Sequence, residues 1–182
     1  MKNLDKQIIK AYEHLHQLLA KARYSTDPRT YRETIASLVT GCRPTVDKSG
    51  ADCYLPKEDG TEAKCERKSS EGSLAGAYTG ISWQESWDEQ ERYIREDKIG
   101  NCEWHYFDHF GKLTGALVEC YRIPGSLLVN TKLPGLHKQW EGRVEKMLKG
   151  KLPKDPRLSF SLGSRFIRTH GEQVIKNGKR IK

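Results

Sequence analysis

The sequence predicts a fold of the α/β class, and three observations carry the prediction. Residues 4–23 and 27–41 repeat apolar side chains every three or four positions, as amphipathic helices do. From Gly50 the repeat drops to two, as in half-buried strands, and an Asp59-Gly60 pair separates two such alternating runs. At 182 residues the chain is expected to form one domain with a real core.

The elements follow in order. Leu4, Ile8, Tyr12, Leu15, Leu19 and Ala22 form one stripe on a first helix, which suits packing on the protein's own core or on a second copy. Asp27 and Pro28 read as a helix start, Tyr31, Ile35, Leu38 and Val39 as its apolar face, and Gly41 as its stop. In the hairpin that follows, a turn centred on Asp59 sets Cys53 opposite Cys65 and Leu55 opposite Ala63 on one face. The same register sets Asp52 opposite Glu66 on the other, so the apolar face brings two carboxylates together.

Residues 71–87, rich in Gly, Ser and aromatics, read as an extended loop, and 86–98 as a helix capped by Ser86. CEWHYFDHF and GALVECYRI are strand-like and joined through Gly111-Lys112 as an antiparallel hairpin. Leu136–Lys149 has helical spacing, a Pro-rich connection spans 152–156, and Leu162–Thr169 is the last strand expected, with fraying from Asn177.

Composition narrows the function. Four Trp, eight Tyr and four Phe argue against disorder, and the 31% of charged residues argue for a polar surface. No run approaches the roughly 18 to 20 apolar residues of a membrane span, and MKNLDKQIIK lacks the apolar centre of a signal peptide. A cytoplasmic protein without membrane contact is therefore expected, and five irregularly spaced Cys fit a reducing compartment. The net charge of +8 is uneven: residues 1–99 sum to −1 and residues 100–182 to +9. A basic half of this kind suits a polyanion, because neutralised phosphates release condensed counterions, although solubility alone also explains it.

The chemistry-bearing constellation is Asp52, Glu66 and Lys68. Two facing carboxylates make a hard oxygen site suited to Mg²⁺, and a Lys two residues beyond Glu66 shares its strand face, where an ammonium can position a water. Such an arrangement hydrolyses phosphodiesters; a solvated strand face with cross-strand ion pairs shows the same pattern. Glu62 and Lys64 repeat the spacing but lie near the turn. Cys102, His105 and His109 form a C-x₂-H-x₃-H run without an evident fourth zinc ligand, and read as core Cys with surface or DNA-facing His.

Gly50-Ala51-Asp52 followed across a hairpin by Glu66-Arg67-Lys68 resembles the PD-(D/E)XK nuclease superfamily, and in particular its small type II restriction endonucleases. SLVTGCRPTVDKSGADCYL, CERKSS, IREDKIGNCEWHYFDHF and LGSRFIRTHG carry the resemblance across most of residues 27–171. It implies a mixed central sheet flanked by helices, with Asp52, Glu66 and the backbone carbonyl of Arg67 as metal ligands and Lys68 as the water-positioning base. The hairpin between Asp52 and Glu66 is several residues longer than the resemblance implies. Where it would place a His-rich major-groove patch, this chain offers Tyr78, Thr79, Ser82, Trp83, Gln84 and Glu85; of these, Gln84, Ser82 and Thr79 are suitable types for base readout. Asp27 would stand near the minor groove, and Arg165 and His170 near phosphate.

The resulting expectation is a Mg²⁺-dependent type II endonuclease that cuts both strands of double-stranded DNA at a short palindrome as a homodimer. Residues 1–24 would supply a dimer helix, 25–171 the catalytic and DNA-recognition core, and 172–182 a basic tail. A structure-selective nuclease of the same fold, such as a junction resolvase or repair nickase, and a non-catalytic DNA-binding module remain the alternatives.

Overall fold

The computed structural model describes residues 3–45, 50–151 and 154–181. Residues 46–49, within one of the segments that carry the resemblance, and 152–153 of the Pro-rich connection lie outside the described residues.

The architecture is mixed α/β. Among the described residues nine strands run β1 (Arg43–Pro44), β2 (Cys53–Pro56), β3 (Glu62–Glu71), β4 (Gly76–Ile81), β5 (Trp104–Phe110), β6 (Leu117–Pro124), β7 (Leu158–Leu162), β8 (Glu172–Lys176) and β9 (Lys179–Arg180). Five α-helices join them: α1 (Asn3–Lys21), α2 (Tyr31–Thr40), α3 (Trp87–Arg92), α4 (Gly125–Leu148) and α5 (Ser164–His170). Seven strands form one sheet in the order β1-β2-β3-β5-β6-β8-β9, and β4 pairs with β7 in a separate two-stranded sheet. Among the described residues only β3 and β5 run parallel, which makes the large sheet mixed. No helix of the described residues is long and apolar enough to cross a membrane.

The expected hairpin register holds. Cys53 faces Cys65 and Leu55 faces Ala63, because placing these apolar side chains together under α2 leaves no other alignment. β5 is central and buried along most of its length, so its two faces serve two cores. Tyr106 and Phe110 join Ala36 of α2, Cys42, Cys53, Cys65, Cys120 and Ile175 on one side. Phe107 joins Tyr78, Ile81, Ile123, Leu128, Leu136, Leu158 and Ile167 on the other, beneath β4, β7, α4 and α5.

Between β3 and β5 lies a fully buried ion pair. Arg67 donates from Nε and Nη2 to the two carboxylate oxygens of Asp108 (3.0 and 2.7 Å) and from Nη1 to Thr40 Oγ1 on α2 (3.0 Å). Its guanidinium stands 4.5 Å from the centre of the Tyr106 ring, and Ser69 Oγ donates to Asp108 (3.1 Å). The bidentate geometry and the surrounding donors compensate the desolvation of two charges.

This polar anchor explains the first departure from expectation. The buried face of α2 is Tyr31, Thr34, Ala36, Ser37 and Thr40, whereas Ile35, Leu38 and Val39 stand exposed. Small and hydroxylated residues let α2 approach Arg67, which bulky aliphatics would prevent. Asp27 does not begin the α-helix: a 3₁₀ turn, Pro28–Thr30, intervenes, and the residue preceding α2 is Thr30. α1 buries Leu19 but leaves Leu4, Ile8, Ile9, Tyr12 and Leu18 open, touching the rest of the chain through Tyr12 and His16 at Tyr31.

Four further readings are corrected. The segment read as a loop contains β4, which crosses the large sheet so closely that a Cβ on Gly76 would lie 2.5 Å from the Phe107 ring. The helix expected from Leu136 begins at Gly125 and carries Pro134 inside it. Leu162–Thr169 is not a strand: extended Gly163 ends β7, and α5 follows with Ile167 buried and the Phe166 ring tilted against His170 one turn on. Two adjacent apolar residues, Phe166 and Ile167, do not distinguish the two periods in so short a segment. The tail is also structured, since Asn177 and Gly178 take positive φ (50° and 74°) and turn β8 into β9, with Ile175 fully buried. α3 carries the expected cap, a Ser86–Glu89 capping box, and passes into a π-helical turn over Tyr93–Lys98.

Replacing Asp108 by Ala strands a buried guanidinium, with an expected cost of about 3 to 5 kcal/mol in urea unfolding. The double change Arg67→Met and Asp108→Leu is expected to cost less than Asp108→Ala alone.

Candidate active site

Asp52, immediately before β2, and Glu66 and Lys68, alternate residues of β3, line a cleft of about 320 Å³. Period two explains the placement: Cys65 and Arg67 point into the core beneath α2, so Glu66 and Lys68 emerge on the opposite face. Ala77, Tyr78 and Thr79 of β4 form a second wall, and Asp97 and Lys98 at the end of the π-helical turn a third. Asp52 is held from behind, its Oδ2 accepting the backbone N–H of Arg67 (2.7 Å) while its own N–H donates to the Cys65 carbonyl (3.0 Å).

The electrostatics are those of acids crowded around Lys68. Lys68 Nζ is ion-paired with Glu66. Burial by itself would lower the Lys68 pKa, but Glu66, Asp52 and Glu33 outweigh it and hold the ammonium above the ordinary lysine value. Burial and the neighbouring Glu66 charge push the Asp52 carboxyl up to about 6, against the opposing pull of the Arg67 N–H and Lys68. Lys68 is thus a hydrogen-bond donor here, suited to orienting a water or steadying negative charge.

Glu33 on α2 belongs to the same field, although the sequence did not single it out. Its carboxyl is pushed up to about 7, first by burial and then by Asp52, with Lys68 acting in the opposite sense. It lines an adjoining depression that shares Lys68 and Ala77 with the cleft. The available signal was the run of small polar residues at Ser37 and Thr40, which marks this side of α2 as the buried one.

Above Lys68 lies a buried polar pair. The Tyr78 ring centre is 5.3 Å from Lys68 Nζ, and its hydroxyl is 2.8 Å from His105 Nδ1. His105 Nε2 lies 2.9 Å from the Ile99 carbonyl, an acceptor only, so Nε2 carries the proton and Nδ1 accepts from Tyr78. Burial lowers the His105 pKa to about 4, keeping the ring neutral.

The other predicted site residues are spread around this centre. Thr79 lines the cleft and is exposed. Ser82, Trp83 and Gln84 follow β4 without lining it: the Ser82 carbonyl accepts from Gln90, Trp83 stacks on Trp140 at 5.5 Å, and the Gln84 carbonyl accepts from Trp140 Nε1. Asp27 sits in the turn before α2, Arg165 on the first turn of α5 and His170 at its end; none of the three lines the cleft. Glu62 binds Arg43 through both carboxylate oxygens (2.9 and 2.5 Å), which accounts for it structurally. Cys102 and His105 are core residues, and His109 pairs with Glu119.

Among the described residues no three His, Cys, Asp or Glu side chains form a group able to hold a metal. Mg²⁺ asks for less than that, since it keeps several waters and is bound through one or two carboxylates. The all-oxygen pair Asp52 and Glu66, with the Asp52 charge disfavoured by burial and then by its neighbour, fits such an ion. Comparison of the chain with known family models and with curated proteins finds no match.

The raised Glu33 pKa sets a sign for stability. Its contribution is fully present below the unfolded value near 4.5 and is lost as pH rises through about 7. Measured without divalent cations, Glu33→Gln is expected to gain stability relative to wild type as pH rises from roughly 5 to 8. Taking the difference in thermal unfolding between the two proteins cancels the opposite contribution of His105, which they share.

Proposed function

We propose that this protein is a Mg²⁺-dependent endodeoxyribonuclease of the PD-(D/E)XK type, cutting both strands of duplex DNA at a short palindromic site as a homodimer. The observation that carries the reading is the convergence of Asp52, Glu66 and Lys68 in one cleft, on strands held in the expected register. The mixed sheet with helices on both faces is compatible with that core. α5 stands where the resemblance asks for a strand, but the cleft takes no residue from it.

In this mechanism Asp52 and Glu66 would hold the ion, joined by the Arg67 backbone carbonyl. Mg²⁺ there supplies Lewis-acid stabilisation of the charge that builds on the phosphoryl oxygens. Lys68 donates from Nζ to orient the attacking water towards phosphorus. Glu33, its carboxyl pushed up to about 7 by burial and then by Asp52, is suited to receive the water's proton as the P–O bond to the leaving oxygen breaks, and the leaving oxygen takes its proton from solvent. Arg67 and Asp108 keep β3 in place beneath these groups. Thr79, Ser82 and Gln84 extend from the cleft as candidates for base contact, and the basic second half of the chain neutralises flanking phosphates.

Cutting two strands needs two such sites. The open apolar surface of α1 (Leu4, Ile8, Tyr12) and of α2 (Ile35, Leu38, Val39) supports pairing with a second copy.

Lys68→Ala is expected to lower Mg²⁺-dependent cleavage of duplex DNA by about 10²- to 10⁴-fold while duplex binding survives. Unchanged cleavage by this variant overturns the assignment. With wild-type protein and mixed-sequence DNA, discrete fragments support site recognition, cleavage of branched DNA alone supports a structure-selective nuclease, and binding without any cleavage supports a non-catalytic module. Ile8→Glu is expected to shift the sedimenting species from dimer to monomer.

A further inference from the structure

The buried pair formed by His105 and the Tyr78 hydroxyl has no part in the mechanism above, yet it stands directly over its lysine. His105 is fully buried and Tyr78 is 4% exposed. An apolar core needs neither polar group, and burying them costs free energy unless both are satisfied. Here both are: the Ile99 carbonyl fixes the imidazole tautomer, and the tautomer leaves Nδ1 as the acceptor for the Tyr78 hydroxyl (2.8 Å).

The Tyr78 ring is thereby tethered at its far end, and Phe160 stacks on it at 4.7 Å with an interplanar angle of 19°. Lys68 Nζ stands 5.3 Å from the ring centre. The lysine stem has four rotatable bonds, so its ammonium needs something besides Glu66 to hold it towards the cleft. An aromatic face fixed in position does this by cation–π attraction and by closing off the space behind. Gly76 adds to the arrangement, since β4 can lie this close to the Phe107 ring only where there is no Cβ.

We propose that His105 is a positioning residue: by anchoring the Tyr78 hydroxyl it fixes the aromatic wall against which the Lys68 ammonium stands, and so aims Lys68 at the reacting centre. Its catalytic consequence rests on the nuclease reading, whereas its structural half does not.

The test uses the full chain carrying Tyr78→Phe, His105→Phe and both changes. With ¹³C-labelled lysine, the ε-methylene signals of Lys68, assigned by their loss in Lys68→Arg, are expected to be ring-shifted in wild type. All three variants are expected to move them by a similar amount towards the value of an unshielded lysine. In Mg²⁺-dependent duplex cleavage each single variant is expected to lower kcat about tenfold, within the range of a desolvated cation–π contact, with KM unchanged. The double variant is expected to be no worse than either single one, because the two groups act as a unit. Unmoved Lys68 signals in Tyr78→Phe, or losses that add in the double variant, overturn the proposal and leave His105 as packing only. Tyr78→Phe removes one oxygen and keeps the ring, so it carries the test even where His105→Phe unfolds. A wild-type protein that cuts no DNA overturns the nuclease reading, and the lysine signals still decide the positioning role.

Discussion

The buried pair of Arg67 and Asp108 is the constraint around which this molecule is arranged. It joins the two parallel strands β3 and β5 and reaches α2 through Thr40, so three elements distant in sequence share one guanidinium. Neither charge has water to fall back on, so the alignment that pairs them is strongly preferred over any slipped one. Because side chains alternate along a strand, committing Arg67 to the core commits Glu66 and Lys68 to the other face. The candidate catalytic groups are placed by a residue whose side chain points away from them.

On that outer face the arrangement is electrostatically unfavourable for the acids. Asp52, Glu66 and Glu33 share a half-buried region around the Lys68 ammonium, and the raised pKa values of Asp52 and Glu33 express first burial and then the repulsion of their neighbours. A fold selected for stability alone would have spread these charges over solvent. Concentrating them stores a preference for cations, which is what the proposed metal-dependent reading asks of this centre. Under the proposed nuclease reading, the excess positive charge of the second half of the chain would play the complementary part of neutralising phosphate.

β4 and β7 supply the remaining ingredient. As a small sheet of their own they cross over the large one, and their contact with it includes both apolar packing and the polar link from Tyr78 to His105. The cleft therefore has a rigid floor, β3, and a wall whose position depends on a hydrogen bond to the neighbouring central strand. The π-helical turn at Tyr93–Lys98 closes the third side through Asp97 and Lys98 at its end.

Sequence by itself determined the parts that depend on local periodicity and turn chemistry. Asp59-Gly60 with alternating flanks was enough to set the β2–β3 register, and that register was enough to predict Asp52, Glu66 and Lys68 as neighbours. The Ser86 cap and the β5–β6 hairpin were legible for the same reason. Tertiary structure decided the rest. It buried the polar side of α2 instead of the aliphatic one, because Arg67 needed Thr40; it made 164–170 a helix and 76–81 a strand, because short runs satisfy either period until a partner surface chooses. Glu33 and His105 owe their place beside Lys68 to contacts across more than thirty residues of chain, which no local pattern encodes. Local rules specify which way a side chain points, and only the packing of distant elements specifies what it points at.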